Sequence, residues 1–161
     1  MGFKDLFLQK GWAGKTLSRQ ETIEHVNPLL RRHHELNHCY SHLIDRLSDR
    51  EAAAQLQDLM KVARADVSKL SETVLSAGGV SYNGTDLEPE DFNLGSNPVD
   101  VLREVQKREE DLQDALSEEL DRGDHQMRTR AILGVVQTNS QRRLDLLDQL
   151  LREAQRRAPS S

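Results

Sequence analysis

The breaks in the chain's apolar pattern constrain its fold most, because they are unequal. From residue 18 to about residue 157, apolar side chains recur at helical spacing in four long segments. The first and third breaks are a few residues long, so helices 1 and 2, and helices 3 and 4, are antiparallel neighbours. The middle break, about residues 80–97, is long and has no periodicity. Fully extended at ~3.3 Å per residue, about 18 residues cover ~60 Å, whereas a helix of about 28 residues is ~42 Å long. Such a segment crosses a bundle from end to end. The expected fold is all-α: two antiparallel hairpins joined by a long crossover, with helices 2 and 3 parallel.

The boundaries carry their own signals. Ser18 and Glu21 have capping-box spacing and open helix 1, which is expected to run to about Leu47. Ser48 and Glu51 repeat the pattern for helix 2, and Gly78 and Gly79 are positioned to end it. Asn97-Pro98 opens helix 3 as a cap followed by a first-turn proline, and Gly123 closes it. Asp124 is the expected cap of helix 4, which runs to about Arg156. Asn27-Pro28 reads either as a second start signal or as a kink in helix 1. The bundle domain spans 18–157, preceded by an arm, 1–17, and followed by a tail, 158–161.

Composition narrows the partners. The net charge of −5 leaves no basic excess to neutralise phosphates, and no Lys/Arg run is interleaved with aromatics, which argues against nucleic acid. No apolar run approaches the ~18 residues that span a bilayer, and the N-terminus has no leader-like apolar region. With a single cysteine, Cys39, these features predict a cytoplasmic protein that is not on a membrane.

Stepping about 100° per residue places Val26, Leu29, Leu30, Tyr40, Ile44 and Leu47 on one face of helix 1, with His33 at its centre and Asn37 beside it. Helix 2 presents Ala52, Leu56, Leu59, Ala63, Val67, Leu70 and Val74, with Asp66 on the shoulder. The stripe of helix 3 is Leu102, Glu109 and Leu116. That of helix 4, from Ile132 and Val136 to Leu147, Leu150 and Ala154, is interrupted by Asn139, Ser140 and Arg143. Polar groups placed mid-stripe must satisfy one another or a shared ion, because an unpaired buried charge costs several kcal/mol. The expected buried network is therefore His33, Asn37, Tyr40, Asp66, Glu109, Asn139, Ser140 and Arg143.

The stretch "RRHHELNHCYSHL", residues 31–43, holds four of the six histidines and divides on this wheel. His33 points inward, His34 lies at the boundary, and His38 and His42 fall on the side expected to face solvent.

In order and spacing, "IEHVNPLLRRHHELNHCY", "LSAGGVS" and "NPVDVLREVQKREEDLQDAL" resemble bacterioferritin, within the ferritin-like superfamily, over about Ile23–Leu151. Tyr40 matches the family's inward tyrosine. The resemblance implies a ferritin-like four-helix bundle and a dinuclear iron site built from one Glu on each of helices 1 and 3 and a Glu-x-x-His pair on each of helices 2 and 4. Here those positions hold His33, Glu109, Ala63 with Asp66, and Val136 with Asn139, so Glu109 alone is retained. Alanine and valine ligate nothing. A metal-free polar network closed by Arg143 is favoured over a single iron, manganese or zinc ion on His33, Asp66 and Glu109. An intact dinuclear oxidase ranks last.

No nucleophilic or acid–base constellation emerges, so no catalytic residue is assigned. "GWAGKT" at 11–16 lacks the glycine spacing and preceding strand of a phosphate loop. Asn83-Gly84-Thr85 reads as a turn. Phe3, Leu6, Phe7 and Trp12 mark the arm either as packed on its own bundle or as an anchor for a homo-oligomer or protein partner, with the helix faces as the other candidate surface. The functional expectation is a ferritin-like binding or assembly module without dinuclear chemistry. The alternative is a mononuclear metal protein for sequestration or redox work.

Overall fold

The computed structural model describes residues 15–157. Phe3, Phe7 and Trp12, like the tail, lie outside them. Among the described residues there are four α-helices and no strand: α1 Arg19–Arg46, α2 Arg50–Ser76, α3 Pro98–Arg122 and α4 Met127–Arg157, with a 3-10 turn at Pro89–Phe92. None of these helices is long and apolar enough to cross a membrane.

Ser18 and Glu21 form the full capping box of α1, each side chain accepting from the other's backbone N–H. Pro28 starts no second helix; α1 runs through it, and its ring sits on the exposed side. The cap of α2 is Asp49 rather than Ser48, because its carboxylate takes the N–H groups of both Glu51 and Ala52. Asn97 and Pro98 open α3, and Gly123 ends it at φ 73°. Helix α4 begins at Met127, later than an Asp124 cap would place it. Asp124 is occupied elsewhere: its carboxylate accepts from Arg122, and its carbonyl accepts Leu17 N–H at 2.7 Å, tying the α3–α4 link to the start of α1.

Side-chain pairings fix the directions. Going up α1, His25 meets Glu119 and Tyr40 meets Glu109, so α1 and α3 are antiparallel. Asp66 meets Asn139, while Glu72 and Ser76 face Arg128 and Ile132 across a cleft, so α2 and α4 are antiparallel as well. Helices α1 and α4, and α2 and α3, occupy the diagonals, and each diagonal pair runs parallel.

The core is a column of leucines and valines: Val26, Leu30, Leu43, Leu56, Leu70, Val74, Val101, Val105, Leu112, Leu116, Leu133, Val136 and Leu147 are completely buried. Three expected phases shift slightly. Leu43, Met60 and Leu133 are buried, whereas Ile44, Leu59 and Ile132 are only partly so.

The crossover lies along the outer face of α1, and this corrects the reading of its histidines. Asn27 clamps the segment's start, donating to Val80 O at 3.0 Å and accepting Tyr82 N–H at 2.9 Å. Arg31 lies over the Tyr82 ring, 5.4 Å from its centroid, and His34 meets the same ring edge-on at 5.7 Å. His38 stacks on Phe92 at 5.0 Å with 10° between the rings. His42 donates from Nε2 to Gly95 O at 2.8 Å. His38 and His42 are therefore half-covered rather than solvent-facing, and positions 27, 31, 34, 38 and 42 form one helical stripe that fastens the crossover.

Candidate functional site

Midway along the bundle, each helix contributes a polar side chain to one buried cluster. Glu109 of α3 is fully buried, and its carboxylate accepts from three residues on two other helices. Tyr40 Oη–H of α1 donates to Oε1 at 2.6 Å, and Ser140 Oγ–H of α4 donates to Oε2 at 2.8 Å. Arg143 of α4 donates from Nε to Oε1 at 2.5 Å and from Nη2 to Oε2 at 3.3 Å. The guanidinium also reaches α2, with Nη1 3.9 Å from Asp66 Oδ2. Asn139 Nδ2 donates to both Asp66 oxygens, at 3.0 and 3.2 Å.

Helical periodicity explains why these residues converge. Asn139, Ser140 and Arg143 share one turn of α4, and Glu109 lies seven residues from both Leu102 and Leu116, in the seam of α3. Asp66 is completely buried instead of lying on the shoulder of α2; Asn139 donates to both of its oxygens there, and the Arg143 charge stands 3.9 Å away without a hydrogen bond to it. Asn37 is half-buried and stands outside the hydrogen-bonded set.

His33 is 1% exposed, and its Nε2 has no hydrogen-bond partner. Burial first, then the Arg143 charge, then His34, hold its pKa down to about 3, so the imidazole is neutral. The Tyr40 phenol is pushed well up by burial and by Glu109. Asp66 is raised by burial, against the opposing effects of Asn139 and Arg143. Burial works against the charge on Arg143, but Glu109, Tyr40 and Asp66 outweigh it and raise its pKa above the ordinary value.

These residues do not fit a dinuclear metal. Ala63 and Val136, where the resemblance would call for two ligating glutamates, are buried apolar groups, and the cation beside Glu109 is a guanidinium. Arg143 also contacts both Glu109 and Asp66, the carboxylates that the single-ion alternative would use. Among the described residues no group of three or more His, Cys, Asp or Glu side chains is gathered to hold a metal ion.

A second cluster escaped the sequence reading. Glu119 of α3 accepts from His25 Nδ1 of α1 at about 3.1 Å and from His125 Nε2 of the α3–α4 link at 2.8 Å. The His125 ring is 1% exposed, with Nδ1 unpartnered. Its members lie on three elements, so no spacing within one helix announces them. The only local sign was a histidine next to the Gly123 break.

Fold and site together define an all-α four-helix bundle with a charged hydrogen-bond network sealed in its centre. The chain matches no family model, no curated protein and no solved structure.

Proposed function

We propose that this chain is a ferritin-like bundle whose metal chemistry has been replaced by a structural ion pair, and that it acts as a binding or assembly module. The observation that carries this reading is the Arg143–Glu109 pair. It sits where the bacterioferritin resemblance calls for metal ligands, and it fills that space with a fixed positive charge. The parallel diagonals and end-to-end crossover support the ferritin-like part. Support for the binding role comes from large apolar side chains left open to solvent: Leu75 near the end of α2, Val80 at the start of the crossover and Met127 at the start of α4 are 58, 86 and 87% exposed.

One observation favours the alternative, a single iron, manganese or zinc ion: the buried, unpartnered Nε2 of His33. Against it, a second cation there would stand close to Arg143. Metal analysis of untagged protein, together with melting in the presence and absence of chelator, tests the proposal. No stoichiometric metal and a chelator-insensitive transition are expected. One tightly held ion per chain, with melting that falls on chelation, would overturn it.

A further inference from the structure

At the end of the bundle where α1 and α4 begin and α2 finishes, Arg19, Thr22, Glu72, Gln126, Arg128 and Thr129 help to line a cleft of about 250 Å³. Thr22 is 4% exposed, and its Oγ1 has no hydrogen-bond partner. A buried hydroxyl nearly always has one. In a helix the default is the carbonyl one turn back. Thr73, on the α2 side of the same cleft, takes that option with Lys69 O at 2.9 Å, and Thr22 does not. Beside it, the first intrahelical bond of α4 runs from Arg130 N–H to Gln126 O, so the N–H groups of Met127, Arg128 and Thr129 lie ahead of the ladder. Whereas Ser18, Asp49 and Asn97 cap the other three helices, no side chain among the described residues takes these N–H groups. Arg19 and Arg128 are exposed at the cleft, and neither joins an ion pair among the described residues.

We propose that this cleft binds a small oxyanion of the phosphate class. Backbone N–H groups at a helix start favour negative charge, two guanidiniums add to that field, and the Thr22 hydroxyl supplies a donor that is otherwise unused. Among the described residues Glu72 is the one acid lining the cleft, and together with the carbonyl end of α2 at Ser76 and Ala77 it sets a limit on how much negative charge the site accepts.

Calorimetric titration of the full chain with inorganic phosphate, at fixed ionic strength, tests this. Saturable 1:1 binding is expected, displaced by sulfate but not by equal chloride. Arg19→Gln with Arg128→Gln, and separately the isosteric Thr22→Val, are each expected to weaken it about tenfold. Thr22→Ser, which keeps the hydroxyl, is expected to retain it, and Glu72→Gln to tighten it. Circular dichroism verifies that each variant folds, and Thr22→Ser keeps the test decisive if Thr22→Val does not. The proposal is overturned by the absence of saturation up to about 10 mM phosphate. It is equally overturned by equal displacement with chloride, by wild-type affinity in both Thr22→Val and the double arginine variant, or by loss of binding in folded Thr22→Ser.

Discussion

Arg143 and Glu109 form a two-pronged ion pair in the middle of the bundle, where the exposure of either side chain is 1% or less. Tyr40 and Ser140 take further lone pairs of the carboxylate, and the far edge of the guanidinium leans toward Asp66. A pair this deep is a weak source of net stability but a strong source of dependence, because neither partner tolerates losing the other.

Glu109→Ala is therefore expected to destabilise the protein by roughly 3–5 kcal/mol in urea unfolding. Replacing the pair together, Glu109→Leu with Arg143→Met, should recover much of that loss, since apolar residues of similar volume often substitute neutrally for a buried pair. A double variant no more stable than Glu109→Ala would show that the two residues do not act as a unit.

Acid should weaken the fold through His33. Its folded pKa, about 3, lies below the ordinary 6.5, so the unfolded chain binds the extra proton. The contribution is present in full above pH 6.5 and is lost as pH falls toward 3, reaching about 2 kcal/mol by pH 5. Unfolding free energies measured between pH 7 and 5 should fall for the wild type and flatten in His33→Leu. Identical slopes would place the acid sensitivity elsewhere.

The two tyrosines should separate in an alkaline absorbance titration. Tyr82 is raised by partial burial and by its bond to Asp86, whereas Tyr40 is raised well above its ordinary value by full burial beside Glu109. One phenol should ionise reversibly and the second only as the chain unfolds. Because the Tyr40 pKa is higher folded than unfolded, its contribution is complete below about pH 10 and lost above it. Tyr40→Phe should abolish the second step.

The crossover depends on the outer face of α1. His38→Ala and His42→Ala remove the Phe92 stack and the Gly95 bond, and each is expected to cost about 0.5–1.5 kcal/mol. Amide exchange should accelerate in residues 80–97 more than in α2 or α4. Gly84→Ala should act in the same direction: Gly84 has φ +75°, and an added Cβ would lie 3.0 Å from the His34 ring. Exchange rates unchanged in all three would mean that the segment is held by other contacts.

Local chemistry made much of the fold legible. Capping at Ser18 and Asn97, the Gly123 stop and four apolar stripes are properties of neighbours within a helix, and a period of 3.6 residues reports them directly. The stripe centres also placed Glu109, Ser140 and Arg143 inside. What periodicity does not contain is the object opposite each face. The outer stripe of α1 carries the same polar residues whether it meets water or a crossover, so His38 and His42 read as solvent-facing until Phe92 and Gly95 came to lie on them. Asp66 stayed on the shoulder of α2 until Asn139 and Arg143, more than seventy positions along, made its burial affordable. The His25–Glu119–His125 cluster joins three elements that only the antiparallel packing of α1 and α3 brings together. The sequence determined four amphipathic helices and the polar groups they must bury. The tertiary structure decided which of those groups meet, because pairing across helices depends on register and neighbour rather than on the period of any one of them.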